Sequence, residues 1–173
     1  MKNKFILTIL LIWVPLFSAL ADNIDDNTYK TPERLFHIAR SANKNLICYD
    51  ILLENGKWDV KNPLKVYWVN REENPGATNG LNYIQRKLAY GYKVVSTNHN
   101  SCVCTLSAYP KRPLTIIHNK SGYLCLVKIN NQTAILQSLY VKANPNNSLK
   151  VEYVELRGIT LSNHRPVSER VKK

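Results

Sequence analysis

Beyond residue 21 the sequence has no run long and apolar enough to cross a bilayer as a helix. It lacks the short signatures of common chemistry: no G-x-S-x-G, no H-E-x-x-H, no Walker loop and no paired C-x-x-C. No internal repeat is visible. Acidic residues are scarce, with 12 Asp and Glu against 24 Lys and Arg. The formal net charge is +12, and it stays strongly positive when Lys2 and Lys4 are set aside. Such a balance favours acidic partners, although it also simply keeps a protein soluble. Nothing in these absences names a reaction.

What is present begins with a leader. Lys2 and Lys4 form a positive start, Phe5 to Phe17 an apolar core, and Ala19-Leu20-Ala21 supplies small residues for a signal peptidase. A secretory signal is expected over residues 1–21, with export to the periplasm or the outside. No Cys sits at the cleavage point, so a lipid-anchored form is not suggested. Residues 22–32 read as a flexible, polar lead-in and 33–170 as one domain.

Extended patterns dominate that domain. "LFHIAR" (35–40), "NLICYDILL" (45–53), "LKVYWV" (64–69), "YKVVST" (92–97) and "SCVCTLSA" (101–108) read as strands. So do "PLTIIHN" (113–119), "YLCLVKI" (123–129), "TAILQSLYV" (133–141) and "LKVEYVELRGITL" (149–161). Asn55-Gly56 and Asn130-Asn131 are hairpin turns. The last strand changes phase near Tyr153-Val154, which predicts a β-bulge or a strand passing between two sheets. The basic tail, Arg165, Arg170, Lys172 and Lys173, is expected to fray. The fold class is therefore mainly β: an antiparallel β-sandwich or partly closed barrel of about eight strands with one short helix.

That helix is read in "LNYIQRKLAYGY" (81–92), where strand alternation fails. Thr78 or Asn79 is the expected start cap and Gly91 the end cap. Leu81, Ile84 and Leu88 share one side at helical spacing and are expected to face the core. Tyr83, Arg86, Lys87 and Tyr90 fall on the far side and form a candidate binding face. The long loop at 70–80, rich in Asn, Gly and charge, is a further candidate surface.

Candidate chemistry is sparse. Asp50 interrupts an apolar strand and needs a partner, and Arg40 at the end of the preceding strand is the candidate for a buried ion pair. In a cleft Asp50 would instead be an acid/base group, with His37, His118, His164 or a Cys beside it. Cys48, Cys102, Cys104 and Cys125 are candidates for disulfides in an oxidising compartment, with buried free thiols the competing reading. Cys102 and Cys104 stand roughly 6–7 Å apart on one strand face, whereas a disulfide wants Cβ atoms about 3.8 Å apart. They should not pair with each other. His99 with Cys102 and Cys104 suggests a soft metal only weakly, because no fourth ligand is apparent. No metal or cofactor is expected.

Several segments together resemble a family of exported bacterial proteins known as domain of unknown function 4833. They are "RLFHIARSANKNLICYD", "PLKVYWV", "LNYIQRKLAYGYKV", "AYPKRPLTI" and "VEYVELRGITL". The resemblance spans about residues 33 to 170. It implies one domain and export, and it carries no activity and no catalytic residues.

The leading functional expectation is a non-enzymatic binding or structural module of the cell envelope with a basic, aromatic contact face. Its partner would be an acidic glycan, a lipid headgroup or a protein, and export argues against nucleic acid. Two alternatives come from other classes. One is a hydrolase-type enzyme around Asp50. The other is a carrier of a small apolar ligand, which an interior filled by Trp58, Trp68 and Tyr side chains would oppose.

Overall fold

The computed structural model describes residues 31–120 and 122–172. The expected leader, residues 1–21, lies outside the described residues, as do residues 22–30 of the lead-in. The strands are β1 (Arg34–Arg40), β2 (Asn43–Ile51), β3 (Leu53–Glu54), β4 (Lys57–Trp58), β5 (Leu64–Val69), β6 (Thr78–Gly80) and β7 (Tyr92–Thr97). They continue as β8 (Ser101–Leu106), β9 (Tyr109–Asn119), β10 (Gly122–Ile129), β11 (Gln132–Asn144), β12 (Asn147–Thr160) and β13 (Pro166–Lys172). A single α-helical turn, α1 (Tyr83–Gln85), widens into a π-helical turn over Arg86–Tyr90.

Local chemistry explains the hairpins. Asn55 and Gly56 both take positive φ (50° and 72°) between β3 and β4, as do Asn130 and Asn131 (47° and 63°) between β10 and β11. Two left-handed residues twist the chain the way the flanking strands twist, so these turns close without splaying the pair.

Nine strands form a curled half-barrel in the order β6-β5-β2-β1-β11-β10-β9-β8-β7, with β12 and β13 added beside β11. The fold is mainly β, with 66% of the described residues in strands. One pairing breaks the antiparallel pattern: β1 runs parallel to β11, with His37 opposite Ser138 and Arg40 opposite Val141. The register shows why the sheet curls. β12 lies along one edge of β11 from Ala134 to Asn144. The other edge is shared by β10, opposite Gln132–Ile135, and β1, opposite Ser138–Val141. The sheet forks there into two arms, β1-β2-β5-β6 and β10-β9-β8-β7.

The core lies between the arms. Ile47, Tyr49 and Ile51 alternate inward on β2 and share one buried cluster with Cys102 and Cys104 of β8, Ile116 of β9 and Cys125 of β10. Tyr49 is fully buried and stacks on Phe36 with ring centroids 4.3 Å apart. Trp58 and Trp68 pack against the same cluster. Gly158 of β12 sits so close to β11 that an added Cβ would lie 2.4 Å from the Ile135 carbonyl oxygen. The phase change in β12 is a bulge: Lys142 faces Tyr153 while the next residue, Ala143, faces Val151, which leaves Glu152 over.

The basic tail is not frayed over its described residues, which end at Lys172. Residues Pro166–Lys172 form β13, paired with β12 from Ile159 to Tyr153. Val167 and Val171 alternate inward against the core. Glu169 chelates Arg112 of β9 (2.7 and 2.8 Å) and accepts from the Asn130 backbone N–H (2.7 Å). Arg170 and Arg157 both pair with Glu155. The sequence reading missed this strand because the charged residues hid a short alternation.

Candidate functional site

The two arms of the half-barrel approach each other at a seam between β5 and β7. Across it, the Tyr92 hydroxyl accepts from the Leu64 backbone N–H (3.3 Å) and donates to the Leu64 carbonyl (3.1 Å). The segment from Leu81 to Gly91 joins β6 to β7 and so spans this seam. It is held at both ends. Asn82 caps α1 by accepting from the Gln85 N–H (2.8 Å), and the Gln85 side chain accepts in return from the Asn82 N–H (3.0 Å), completing a capping box. At the far end the Tyr49 hydroxyl donates to the Tyr90 carbonyl (2.7 Å), and Ser107 donates through Oγ to the Arg86 carbonyl (2.9 Å). Gly91 is required there, since a Cβ would lie 2.1 Å from the Arg86 carbonyl oxygen.

The helical reading of this stretch stands, but its inner stripe does not. Leu81 is buried, at 6% exposure, whereas Ile84 and Leu88 are 65% and 67% exposed. The cause is phase. The cap is Asn82, so Leu81 packs from extended backbone ahead of the helix, and the π-turn then breaks the 3.6-residue period on which the stripe depended. Tyr83 is 73% exposed, Arg86 and Lys87 are exposed, and the Lys87 ammonium lies 5.7 Å from the Tyr83 ring centroid. Tyr90 departs from the other three. It is half-buried, edge-on to Trp68 at 5.4 Å, and burial raises its phenol pKa despite the Arg40 charge. The outward residues of the turn are therefore Tyr83, Ile84, Lys87 and Leu88, in two pairs four residues apart, Tyr83 with Lys87 and Ile84 with Leu88.

Beside the turn the seam opens into a cleft of about 530 Å³. Its walls are Lys61, Asn62, Leu64, Lys65 and Val66 on one side, and Gly91, Tyr92 and Val94 on the other, with Leu81 and Arg86 from the connecting segment. Among the described residues, three cations and no carboxylate line it. Leu64, Leu81, Val66 and Val94 give it an aliphatic side. Arg86 donates through Nε to the Leu81 carbonyl (3.0 Å), which fixes the guanidinium stem at the rim. Lys65 leans on the Tyr67 ring, 5.3 Å from its centroid. Asp59, two residues before Lys61, uses its carboxylate on the Lys61 N–H (2.8 Å) and the Asn62 Nδ2 (3.1 Å), which keeps its pKa low. Lys61 and Lys65 carried no sequence signal, because the two walls meet only through the curl of the sheet.

Asp50 has a different partner from the one expected. Arg34 Nε donates to its Oδ1, the Tyr67 hydroxyl donates to its Oδ2 (2.5 Å), and Arg34 Nη2 donates to the Tyr67 oxygen (3.0 Å). Arg40 lies at the other end of β1, opposite Asn43, and reaches the Ser148 carbonyl at 3.4 Å. The reason is hairpin arithmetic: β1 and β2 are antiparallel, so a residue late in β2 must face one early in β1. Counting back from the turn at Ser41-Ala42 leads to Glu33, and the register shifts between Ile38 and Arg40 and between Arg34 and Phe36 bring Arg34 opposite Asp50 instead. Burial, and then the Asp50 carboxylate, pushes the Tyr67 phenol up to about 12. Burial works against the Arg34 charge, but Asp50 outweighs it and the net shift is upward.

The four cysteines are buried and no disulfide joins them. Cys102 and Cys125 flank the same residue of β9, Ile116, from opposite sides. They are thus two strand spacings apart, roughly 9–10 Å, beyond disulfide reach. Cys48 belongs to a separate cluster with Leu46 and Val69. Burial raises the Cys102 thiol, lifts Cys104 to about 12 and drives Cys125 well above the ordinary thiol value. His37 is the cross-strand partner of Cys48, and Asp50 follows on the same face of β2. Cys48 has no exposed surface, however, and both Asp50 oxygens are engaged.

No described helix is long and apolar enough to cross a membrane. No curated protein and no solved structure matches the chain. A family model described as a domain of unknown function (DUF4833) matches residues 36–170, so the chain belongs to that family.

Proposed function

We propose that this protein is a non-enzymatic binding module of the cell envelope, exported through its leader, whose working surface is the seam turn with the basic cleft beside it. One observation carries the reading: Tyr83, Ile84 and Leu88 stand at 65–73% exposure on one turn that is hydrogen-bonded in place. Monomeric proteins seldom leave adjacent large apolar side chains in water without use for them. Covering Ile84 and Leu88 against a partner is worth roughly 1.5–3 kcal/mol each when complete. Lys87 on the same face and the three cations of the cleft select for negative charge.

The two alternatives have less support. A hydrolase around Asp50 would need a carboxylate able to exchange protons and a reachable nucleophile, and here Arg34 and Tyr67 hold Asp50 while Cys48 is enclosed. A carrier of an apolar ligand would need space between the arms, which Phe36, Tyr49 and the core cluster fill.

The test is retention on cell-envelope fractions. Arg86→Glu with Lys87→Glu, and separately Ile84→Asp with Leu88→Asp, should each abolish retention while melting stays that of the wild type. Unaltered retention in both folded variants overturns the reading.

A further inference from the structure

Resting on that reading, we infer that the seam cleft seats the phosphate of an anionic phospholipid headgroup while the turn beside it enters the acyl boundary. The inference starts from the cleft's two-sided lining. Lys61, Lys65 and Arg86 supply charge for a phosphate, and Leu64, Val66, Leu81 and Val94 supply an aliphatic wall for the carbon skeleton attached to it. The volume, about 530 Å³, falls within the usual range for small-molecule sites. A free inorganic anion would leave the aliphatic wall unused.

Arg86 ties the cleft to the turn. It lines the cleft, and it lies two residues from both Ile84 and Leu88. Residues two apart point to opposite sides of a helix, so Arg86 holds the cleft from one side of the segment while Ile84 and Leu88 project from the other. A headgroup held by Arg86 then lies about one helix width, roughly 10 Å, from the exposed apolar side chains, a span that a lipid's glycerol and first acyl carbons cover. Those side chains form a convex knob. A bilayer accepts a knob of any outline, whereas a protein partner would need a matched socket. An acidic glycan has no apolar volume in which Ile84 and Leu88 could be buried. Tyr83 and Lys87, 5.7 Å apart, are the pair of residue types that settle at the boundary between headgroups and hydrocarbon, with ring and stem in the apolar layer and polar ends in water. The segment is preorganised by the Asn82 cap and the Tyr49 and Ser107 bonds, so little order must be gained on binding.

The experiment is sedimentation with vesicles of phosphatidylglycerol and of phosphatidylcholine, with soluble glycerol phosphate as competitor. The wild type should bind the anionic vesicles, and phosphatidylcholine weakly or not at all. Lys61→Glu with Lys65→Glu should weaken binding on the order of tenfold or more. Ile84→Asp with Leu88→Asp should weaken it similarly. Lys142→Glu with Lys150→Glu, an equal charge change on β11 and β12, should leave it near wild type. Glycerol phosphate should compete only at high concentration, because it lacks the acyl chains the turn engages.

If the turn variant fails while the cleft variant binds normally, the cleft is not the headgroup seat and the inference falls. If the control pair weakens binding as much as the cleft pair, diffuse charge is responsible and the inference falls. If no vesicle is bound but retention on envelope fractions still depends on the turn, the inference falls and the binding-module reading survives with a glycan or protein partner. Strong competition by glycerol phosphate alone would show a soluble phosphate ester as the ligand and would likewise overturn the lipid assignment.

Discussion

The phenol of Tyr49, near the end of β2, donates to the backbone carbonyl of Tyr90, the last residue of the π-turn, at 2.7 Å. Its ring is fully buried and stacked on Phe36, so the hydroxyl is aimed by the core itself. The bond ties the outward turn to the centre of the molecule. Burial also raises the Tyr49 phenol well above its ordinary value, so the group remains a donor throughout the working pH range.

Tyr49→Phe should keep the stacking and remove only this bond. The expected cost is about 1 kcal/mol, the usual net value of one hydrogen bond. Amide hydrogen exchange should quicken at Ala89–Gly91 more than in β8 or β9. Uniform acceleration would show that the bond has no local role.

Gly91→Ala tests the same end of the turn by sterics. A Cβ placed 2.1 Å from the Arg86 carbonyl oxygen forces backbone to move. The variant should lose on the order of 1–3 kcal/mol, the range for forced overpacking. Thermal or urea unfolding measures it.

The Arg34–Asp50–Tyr67 network predicts a contrast between two arginines. Arg34→Met strands a buried carboxylate and should cost about 3–5 kcal/mol. Arg40→Met, at the far end of the strand, removes a long contact to the Ser148 carbonyl and the guanidinium's position 6.0 Å from the Tyr90 ring centroid, with no carboxylate stranded, and should cost much less. Comparable losses in the two variants would contradict the pairing.

The β13 clamp predicts acid sensitivity. Hydrogen bonding to Arg112 lowers the Glu169 pKa, with burial opposing and the Asn130 N–H assisting. Burial alone would raise Glu155, but Arg170 and Arg157 outweigh it and the net shift is downward. A depressed carboxyl contributes stability above its unfolded value, near 4.5, and loses it as pH falls through the lower folded value. Wild type should therefore melt higher than Glu169→Gln near neutrality, and the two curves should converge as the pH drops below 4.5. A gap independent of pH would remove the ionic contribution.

The enclosed thiols predict silence toward reagents. Cys104, at about 12, and Cys125, pushed well above the ordinary thiol value by burial, are protonated at neutral pH as well as covered. Iodoacetamide should leave the folded chain unmodified and label all four cysteines once it is unfolded. Rapid labelling of the folded chain would mean that the arms separate.

What could be read from the residues was what neighbouring residues decide. The Asn55-Gly56 and Asn130-Asn131 turns, and strands β5 and β7, follow from local propensity and alternation, and the bulge beside Tyr153 follows from a break in that alternation. What could not be read depends on distant partners. β6 is three residues long and owes its pairing to β5. β13 owes its order to Glu155 and Arg112. The outward position of Ile84 and Leu88 comes from a change of helical pitch that composition does not announce. The cleft needs both arms in place, so Lys61 and Lys65 look like ordinary surface lysines until the sheet curls.

The fork on β11 also sets an order of assembly. Its pairings with β10 and β12 join neighbours along the chain and form by short loop closures. Its pairing with β1 must bring the front of the domain to a strand made near the end. Closing so long a loop is entropically slow, so the first arm docks late. Until it does, half of one β11 edge and the inner faces of β8, β9 and β10 stand open. A nascent chain in that condition is the form most exposed to aggregation, and also the form loose enough to be threaded through a pore.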